Sequence, residues 1–254
     1  RELIYRQRPE LAAILVRVAD SHIRFGSFEF FHYNGQGKNV ERLLEFSIQS
    51  YYPDIIEESD KYRIFFQRTV QRTAKLIAKW QAVGFIHGVM NTDNMCITGT
   101  TFDYGPYGFM DRFAPKYTSN HSDTHGRYAY SQQPEIGFWN LNKLAETLTP
   151  LIGAEILEEE MKQYQPTFNQ FYREEMSKKL GLSILDSEFS QLVQEMFQLL
   201  HNQQLDYTNF FRFLANYPAA SSSDNDLKSW LSRYLELTQR EGISHEERKA
   251  QMDA

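Results

Sequence analysis

Hydrophobic and polar residues follow two different periods along the chain, and each period predicts a different kind of element. Residues 11–18 (LAAILVRV) and 22–31 (HIRFGSFEFF) are rich in β-branched and aromatic residues and flank a short turn, which predicts two strands. Residues 60–83 instead place apolar side chains at a helical spacing, and Gly84 is of the type that commonly ends a helix. The pattern therefore predicts a short β segment ahead of a long helix.

The remainder of the chain is predicted to be mainly helical, with one hairpin and one long loop. Residues 95–103 (MCI-TGT-TFD) read as a hairpin, and residues 104–133 have a turn-forming composition without a clear period. Before residue 151, the other predicted elements are a helix capped by Asn39 and closed by Pro53, and a helix opened by Pro134. After it, the predicted elements are helices over 151–217 with a break at Gly181, a polar linker over 221–226, a helix capped by Asp226, and a charged, solvated helix or tail over the last dozen residues.

This order of elements predicts the fold class: α+β, mainly α, with a protein-kinase-like C-lobe and remnant N-lobe strands. Residues 1–35 would be the remnant of the N-lobe strands and hinge. Residues 36–254 would be the kinase-like helical C-lobe, with the catalytic loop in 87–105. The prediction rests on the layout of elements and is an analogy of fold.

Composition narrows the class of partner. The 254 residues carry a net charge of −6 without a block of Lys or Arg, so no nucleic-acid partner is expected. No stretch of about 18 apolar residues occurs, so we expect no membrane span and no membrane partner. The single cysteine, Cys96, excludes a disulfide within these residues and suits a reducing compartment. The chain begins without Met, so the lack of a signal peptide says little about the parent protein.

The stretch HGVMNTDN, residues 87–94, resembles the catalytic loop H-x-D-x-x-x-x-N of phosphotransferases. His87 and Asn94 occupy the first and last positions of that pattern. Val89 stands where the catalytic Asp belongs, and an Asp appears four residues later, at Asp93. The loop therefore indicates either an inactive kinase or a site for a different reaction.

Asn94 and Asp103 are candidate metal ligands. They flank the predicted hairpin, whose pairing would bring their side chains close together. Asp103-Tyr104-Gly105 also resembles the kinase D-F-G, and amide and carboxylate oxygens are ligands that Mg²⁺ prefers. The alternative is that both residues only cap the hairpin.

Asp93, Arg17 and Arg24 each have two interpretations. Asp93 is the only carboxylate of the loop and could face an incoming hydroxyl, or it could bond to its own backbone in a turn. Arg17 interrupts an apolar run on one predicted strand, and Arg24 lies on the other. A polyphosphate would suit these guanidinium groups, but an ion pair with Glu29 or another carboxylate is slightly favoured by the residues alone.

Two further sets of residues are interpreted as structural. His121, Asp123 and His125 alternate in NHSDTHG and could bind a metal, but a hydrogen-bonded loop is preferred. Cys96 lies within the hairpin and is expected to be a buried small apolar residue, not a nucleophile.

A longer set of segments resembles one family, selenoprotein O, also called YdiU. The matching segments are RVADSHIRFGSFEFF, HGVMNTDNM, TFDYGPYGF, NHSD, GRY, QP and WNLNKLAETL. The resemblance is dense over residues 10–150 and thinner towards the end. Members of the family have a kinase fold, bind ATP in a flipped orientation and transfer AMP to protein Ser, Thr or Tyr hydroxyls, and some use UTP with Mn²⁺.

The resemblance implies a role for each candidate residue. Asp93 would be the catalytic proton acceptor. Asn94 and Asp103 would hold Mg²⁺, with Asp103 also near the nucleotide. Arg17 and Arg24 would contact the nucleotide phosphates. Protein substrates are the implied partners.

The 254 residues cover only part of the family pattern. Family members carry, ahead of this start, a Gly-rich segment, a phosphate-binding Lys and an acidic partner, and after this end a stretch that often holds a redox-active Cys or selenocysteine. We therefore expect the isolated 254-residue chain to be inactive or very weakly active.

A catalytically inactive pseudokinase scaffold and a phosphate-transferring kinase stay open as alternative functions. The composition favours the bacterial cytoplasm, with mitochondria as the alternative location.

Overall fold

The computed structural model describes residues 3–5, 9–11, 14, 16–217 and 225–253. The fold is mainly helical with a few short strands, which confirms the predicted α+β, mainly α class. The strands are β1 (Leu3–Tyr5), β2 (Pro9–Leu11), β3 (Phe85–Ile86) and β4 (Gly108–Phe109). The helices are α1 (Phe25–Tyr33), α2 (Gly37–Tyr51), α3 (Lys61–Val83), α4 (Gln133–Ile152), α5 (Ala154–Met161), α6 (Tyr164–Leu180), α7 (Ser187–Asn202), α8 (Tyr207–Ala215), α9 (Asn225–Glu241) and α10 (His245–Asp253).

The strands form two small antiparallel pairs. β1 pairs with β2, and Leu3 lies opposite Leu11. β3 pairs with β4, so that Phe85 lies opposite Phe109 and the start of the long loop returns to the end of α3. No described helix combines the length and the apolar character that a bilayer crossing needs.

The prediction of strands over 11–18 and 22–31 is wrong for most of the described residues, because only Leu11, at the end of β2, lies in a strand and Arg24 forms a single β-bridge with Cys96. Residues 16–19 are not paired in a sheet, positions 12, 13 and 15 lie outside the description, and residues 25–33 form α1. The alternation Phe28-Glu29-Phe30 imitates a strand, but Phe30 is 61% exposed. Phe25 and Phe28 are fully buried instead, and their spacing of three is helical.

The long predicted helix is confirmed as α3, which ends at Gly84 with a left-handed φ of 69°. Without that positive φ, favoured by glycine, the chain could not turn directly into β3. The breaks at Pro53 and Gly181 are also confirmed, and α4 begins one residue before Pro134. Gln36, not Asn39, occupies the N-cap position of α2.

Towards the end of the chain, two predictions need correction and one lies mostly outside the description. The polar linker over 221–226 falls largely on positions 218–224, which the structure does not describe, and Asp226 lies in the first turn of α9. The last residues form α10, which is docked and not simply solvated. Arg248 of α10 is 3% exposed and donates hydrogen bonds to the carbonyl oxygens of Leu214 and Tyr217.

Two groups of buried side chains form the core. One joins α1 to α5 and the start of α6, and it includes Phe25, Phe65 and Leu144. The other joins α6 to α9 and includes Leu192 and Trp230. Burial of each large apolar side chain contributes about 1.5–3 kcal/mol. The candidate loop, 87–94, belongs to the first group through Met90, and the division into lobes at residue 35 stays a prediction.

Candidate active site

The loop 87–94 begins inside the protein because His87 points into the core. The side chain of His87 is fully buried, and its Nε2 lies 2.6 Å from Thr101 Oγ1. The amide of Val89 donates to His87 Nδ1 at 3.3 Å, so Nε2 carries the proton and donates to Thr101. Burial lowers the pKa of His87 from 6.5 to about 4, which keeps the ring neutral near pH 7. His87 therefore anchors the loop.

Side-chain amides hold the backbone of the loop. Gln133 uses both ends of its amide: Oε1 accepts from the amide of His87 at 3.0 Å, and Nε2 donates to the carbonyl oxygen of Phe85 at 2.9 Å. Three asparagines donate to the next carbonyl oxygens: Asn120 to Gly88 at 3.0 Å, Asn94 to Val89 at 2.8 Å, and Asn140 to Met90 at 2.8 Å. Buried carbonyl groups need such partners, and these bonds fix the course of the loop.

Gln133, Asn120 and Asn140 were missed as site residues by sequence reasoning. They lie between 32 and 50 positions from the groups that they bind. Each occurs in a segment that resembles the selenoprotein O family, NHSD, QP or WNLNK. That resemblance was the only available signal, because no local pattern connects an amide side chain to a distant carbonyl.

The predicted hairpin is present and brings the two candidate metal ligands to one end. Met95 pairs with Thr101, and the amide of Cys96 donates to the carbonyl oxygen of Thr100 at 3.1 Å. Continued by one step, this register sets Asn94 opposite the residue that precedes Asp103. Cys96 is 1% exposed, which confirms the prediction of a buried residue.

Asn94 and Asp103 could supply oxygen ligands to a cation. Asn94 is 4% exposed, and its Nδ2 donates a hydrogen bond to the carbonyl oxygen of Val89. Its Oδ1 is left to act as a ligand. Asp103 is exposed. One amide and one carboxylate fit Mg²⁺ only if phosphate and water complete the shell. Within the described part of the chain, no group of three or more His, Cys, Asp or Glu side chains is placed to hold a metal ion.

Asp93 lies in the 3-10 turn Thr92–Asn94 and is exposed. Its carboxylate lies against Gly26 in the first turn of α1. As far as the structure describes the chain, this carboxylate accepts no hydrogen bond from its own turn, which argues against the turn-forming alternative.

Arg17 and Arg24 meet at the segment that leads into Asp103. Arg17 donates through Nη1 to the carbonyl oxygen of Phe102, and its guanidinium carbon lies 3.7 Å from the ring centroid of Tyr104. Arg24 immediately precedes α1, and its guanidinium carbon lies 5.3 Å from the ring centroid of Phe102. Within the described ranges, neither arginine forms an ion pair with Glu29 or another carboxylate, and the roles of the two arginines stay predictions.

The alternating residues of NHSDTHG form a hydrogen-bonded loop, as predicted. Asp123 accepts from the amides of Arg127 at 2.8 Å and Tyr128 at 2.7 Å. His125 Nδ1 lies 3.2 Å from the hydroxyl of Thr124. The carboxylate of Asp123 is thus used to close the turn.

Among the cavities lined by described residues, two sizeable ones lie away from these side chains. One of about 720 Å³ is lined by parts of α4, α5 and α6, including Phe138, Leu157 and Tyr164. Another of about 740 Å³ is lined by residues that include Lys79, Lys179 and Met252. Neither cavity is lined by a predicted site residue.

Comparisons with known proteins support a single family. The model of the family described as "Protein adenylyltransferase SelO" matches residues 2–250. The protein nucleotidyltransferase YdiU of Myxococcus xanthus (strain DK1622) is 43% identical over 260 residues, which cover 98% of this chain and 53% of the relative. The protein of the same name from Stutzerimonas stutzeri (strain A1501) is 41% identical over 261 residues, 99% of this chain and 54% of the relative. The chain thus spans about half the length of these curated relatives.

Proposed function

This chain belongs to the SelO family of protein adenylyltransferases, and we propose that the whole protein transfers AMP from ATP to Ser, Thr or Tyr hydroxyls of other proteins. In this proposal Asp93 is the proton acceptor. Asn94 and Asp103 hold Mg²⁺, and Arg17 and Arg24 contact the nucleotide phosphates. The bacterial cytoplasm stays the predicted location.

One observation carries the proposal: both predicted arginines meet at the segment entering Asp103. Arg17 contacts Phe102 and Tyr104, and Arg24 lies over Phe102. These positions bring two permanent positive charges to the residues next to Asp103, and within the described ranges neither guanidinium forms an ion pair with a protein carboxylate. A polyphosphate bridged to Asp103 by a cation would supply the missing negative charge.

The transfer itself needs little covalent participation by the protein. Asp93 accepts the proton of the substrate hydroxyl while the hydroxyl oxygen forms a bond to the α-phosphorus of ATP. The bond between that phosphorus and the oxygen bridging to the β-phosphate breaks, and pyrophosphate leaves. Arg17 and Arg24 stabilise the charge that develops on the leaving phosphates. When bound, Mg²⁺ would neutralise phosphate charge.

The displaced carboxylate supports transfer of AMP over transfer of phosphate. Val89 stands at the position of the kinase base, whereas Asp93 is adjacent to the proposed metal ligand Asn94. A base moved relative to the metal suits a nucleotide bound the other way round, with its α-phosphate presented to the hydroxyl. A bound nucleotide whose γ-phosphate lies nearest Asp93 would contradict this geometry.

Labelled ATP tests the proposal directly. The full-length protein is incubated with Mg²⁺, a protein acceptor and ATP labelled at the α- or the γ-phosphate. We expect label from the α position only. Because a general base contributes about 10²–10⁴-fold, Asp93→Ala should reduce transfer by that factor without weakening nucleotide binding.

The other outcomes identify the alternatives. Label from the γ position would indicate a phosphate-transferring kinase. No transfer, with no change on Asp93→Ala, would indicate a pseudokinase scaffold. Parallel reactions with UTP and Mn²⁺ establish which nucleotide and cation the protein prefers.

A further inference from the structure

Gly26 lies in the first turn of α1 at the point where that helix meets the turn carrying Asp93. A Cβ built on Gly26 would lie 2.2 Å from Asp93 Oδ1, 3.1 Å from its Cγ and 3.3 Å from its backbone nitrogen. Real Cβ atoms do not approach other atoms to 2.2 Å, so no other residue type fits beside this conformation of Asp93.

The backbone on both sides of this contact is held in place. The amide of Phe25 donates to the carbonyl oxygen of Met95 at 2.9 Å, which ties the start of α1 to the residue after Asn94. The amide of Asn94 donates to the carbonyl oxygen of Asn91 at 3.0 Å and closes the turn. Neither backbone can retreat easily, so the carboxylate is the part that would have to move.

The sequence of α1 leaves its first turn open to a carboxylate from elsewhere. Arg24, at the N-cap position, makes no side-chain capping bond, and the first turn of the helix holds no acidic residue. The positive end of a helix attracts a carboxylate. Asp93 supplies, from elsewhere in the chain, a carboxylate that lies against the first turn of α1 at Gly26.

We propose that Gly26 is a positioning residue for Asp93: its missing side chain keeps the carboxylate against the first turn of α1, in the conformation that accepts the hydroxyl proton. The role rests on the function proposed above. The structural part of this proposal can be tested separately, because it predicts that the Asp93 carboxylate moves when a methyl group is added at Gly26.

The substitution Gly26→Ala tests this role in the full-length protein. The closest obstacle is the end of a short side chain, which can rotate away, so we expect the protein to fold. Rotation displaces the carboxylate from the hydroxyl, and a displacement of about 1 Å costs about a hundredfold in rate. We expect kcat for AMP transfer to fall by that factor, with the KM for ATP and the Tm little changed.

Gly37→Ala is the matched control. Gly37 also opens a helix, α2, with no positive φ and no atom within 4 Å of an added Cβ. This variant should retain the wild-type kcat, KM and Tm. An unchanged kcat in Gly26→Ala would overturn the positioning role, and so would parallel losses of kcat, nucleotide binding and Tm.

A double-mutant cycle separates positioning from general damage. In the background of Asp93→Ala the obstructing carboxylate is absent, so Gly26→Ala should reduce the residual transfer no further. An equal additional loss in that background would show a structural role and overturn the proposal. Transfer by the wild type with an unaffected Gly26→Ala would defeat the positioning role alone, whereas no transfer by the wild type would defeat both this role and the proposed function.

Discussion

The loop 87–94 and the segment 16–20 both contribute to the candidate site, but they are held in different ways. The loop is fixed by a buried histidine and by side-chain amides that bind consecutive carbonyl groups. The segment lies at the surface, where Val16 is 81% and Val18 is 93% exposed, and Arg17 reaches the site through Phe102 and Tyr104. The position of the proposed base Asp93 and of the proposed metal ligand Asn94 is therefore set by the fold. The position of Arg17 depends on a few side-chain contacts, whereas the backbone of Arg24 pairs with Cys96.

Solvent explains the difference. The carbonyl groups of the loop lie inside the protein, where each unpaired group would cost about 1–3 kcal/mol. Residues 16–20 can satisfy their backbone groups with water. We infer that the phosphates of a nucleotide order the Arg17 side chain on binding, while the loop is already in place.

The largest expected effect on stability comes from removing the side-chain amide of Gln133, which binds the backbone at the start of the loop 87–94. Gln133→Ala leaves the amide of His87 and the carbonyl oxygen of Phe85 unpaired in the core. At about 1–3 kcal/mol for each of the two groups, we expect the free energy of unfolding to fall by about 2–6 kcal/mol. Chemical denaturation measures the change. The neighbouring Gln132→Ala, at an exposed position, should have almost no effect. Equal stability of the two variants would show that the loop does not depend on this amide.

The sequence could predict the loop but not the groups that hold it. The order of His87, Asn94 and Asp103 is a local pattern, and the hairpin between Asn94 and Asp103 follows from the turn residues T-G-T. The amides of Asn120 and Asn140 bind the loop across a distance of 32 and 50 positions, and such pairing appears only in the folded chain. Residues 25–33 were misread for a related reason, because burial of Phe25 and Phe28 overrides the strand-like composition.

An effect of intermediate size is expected from the pH dependence of stability. The pKa of buried His87 is lowered from 6.5 to about 4. Between these pH values, His87 is therefore protonated in the unfolded chain but neutral in the folded chain. Stability is therefore lost as the pH falls from about 6.5 to about 4, by up to about 3 kcal/mol. Denaturation at several pH values should show a weaker pH dependence for His87→Gln than for the wild type. The exposed His125→Gln should behave like the wild type. Identical pH profiles for the wild type and His87→Gln would mean that this ring does not anchor the loop in its neutral form.

The smallest effect is expected in the loosely held segment and concerns binding, not folding. Arg17→Lys keeps the charge but loses the planar guanidinium that contacts Phe102 and stacks on Tyr104. We expect the KM for ATP in the full-length protein to rise about tenfold, equivalent to about 1.4 kcal/mol, with the Tm unchanged. Arg42→Lys, at an exposed position on α2, should change neither quantity. A fall in Tm for Arg17→Lys with an unchanged KM would contradict this prediction. The segment would then stabilise the fold and contribute nothing to nucleotide binding.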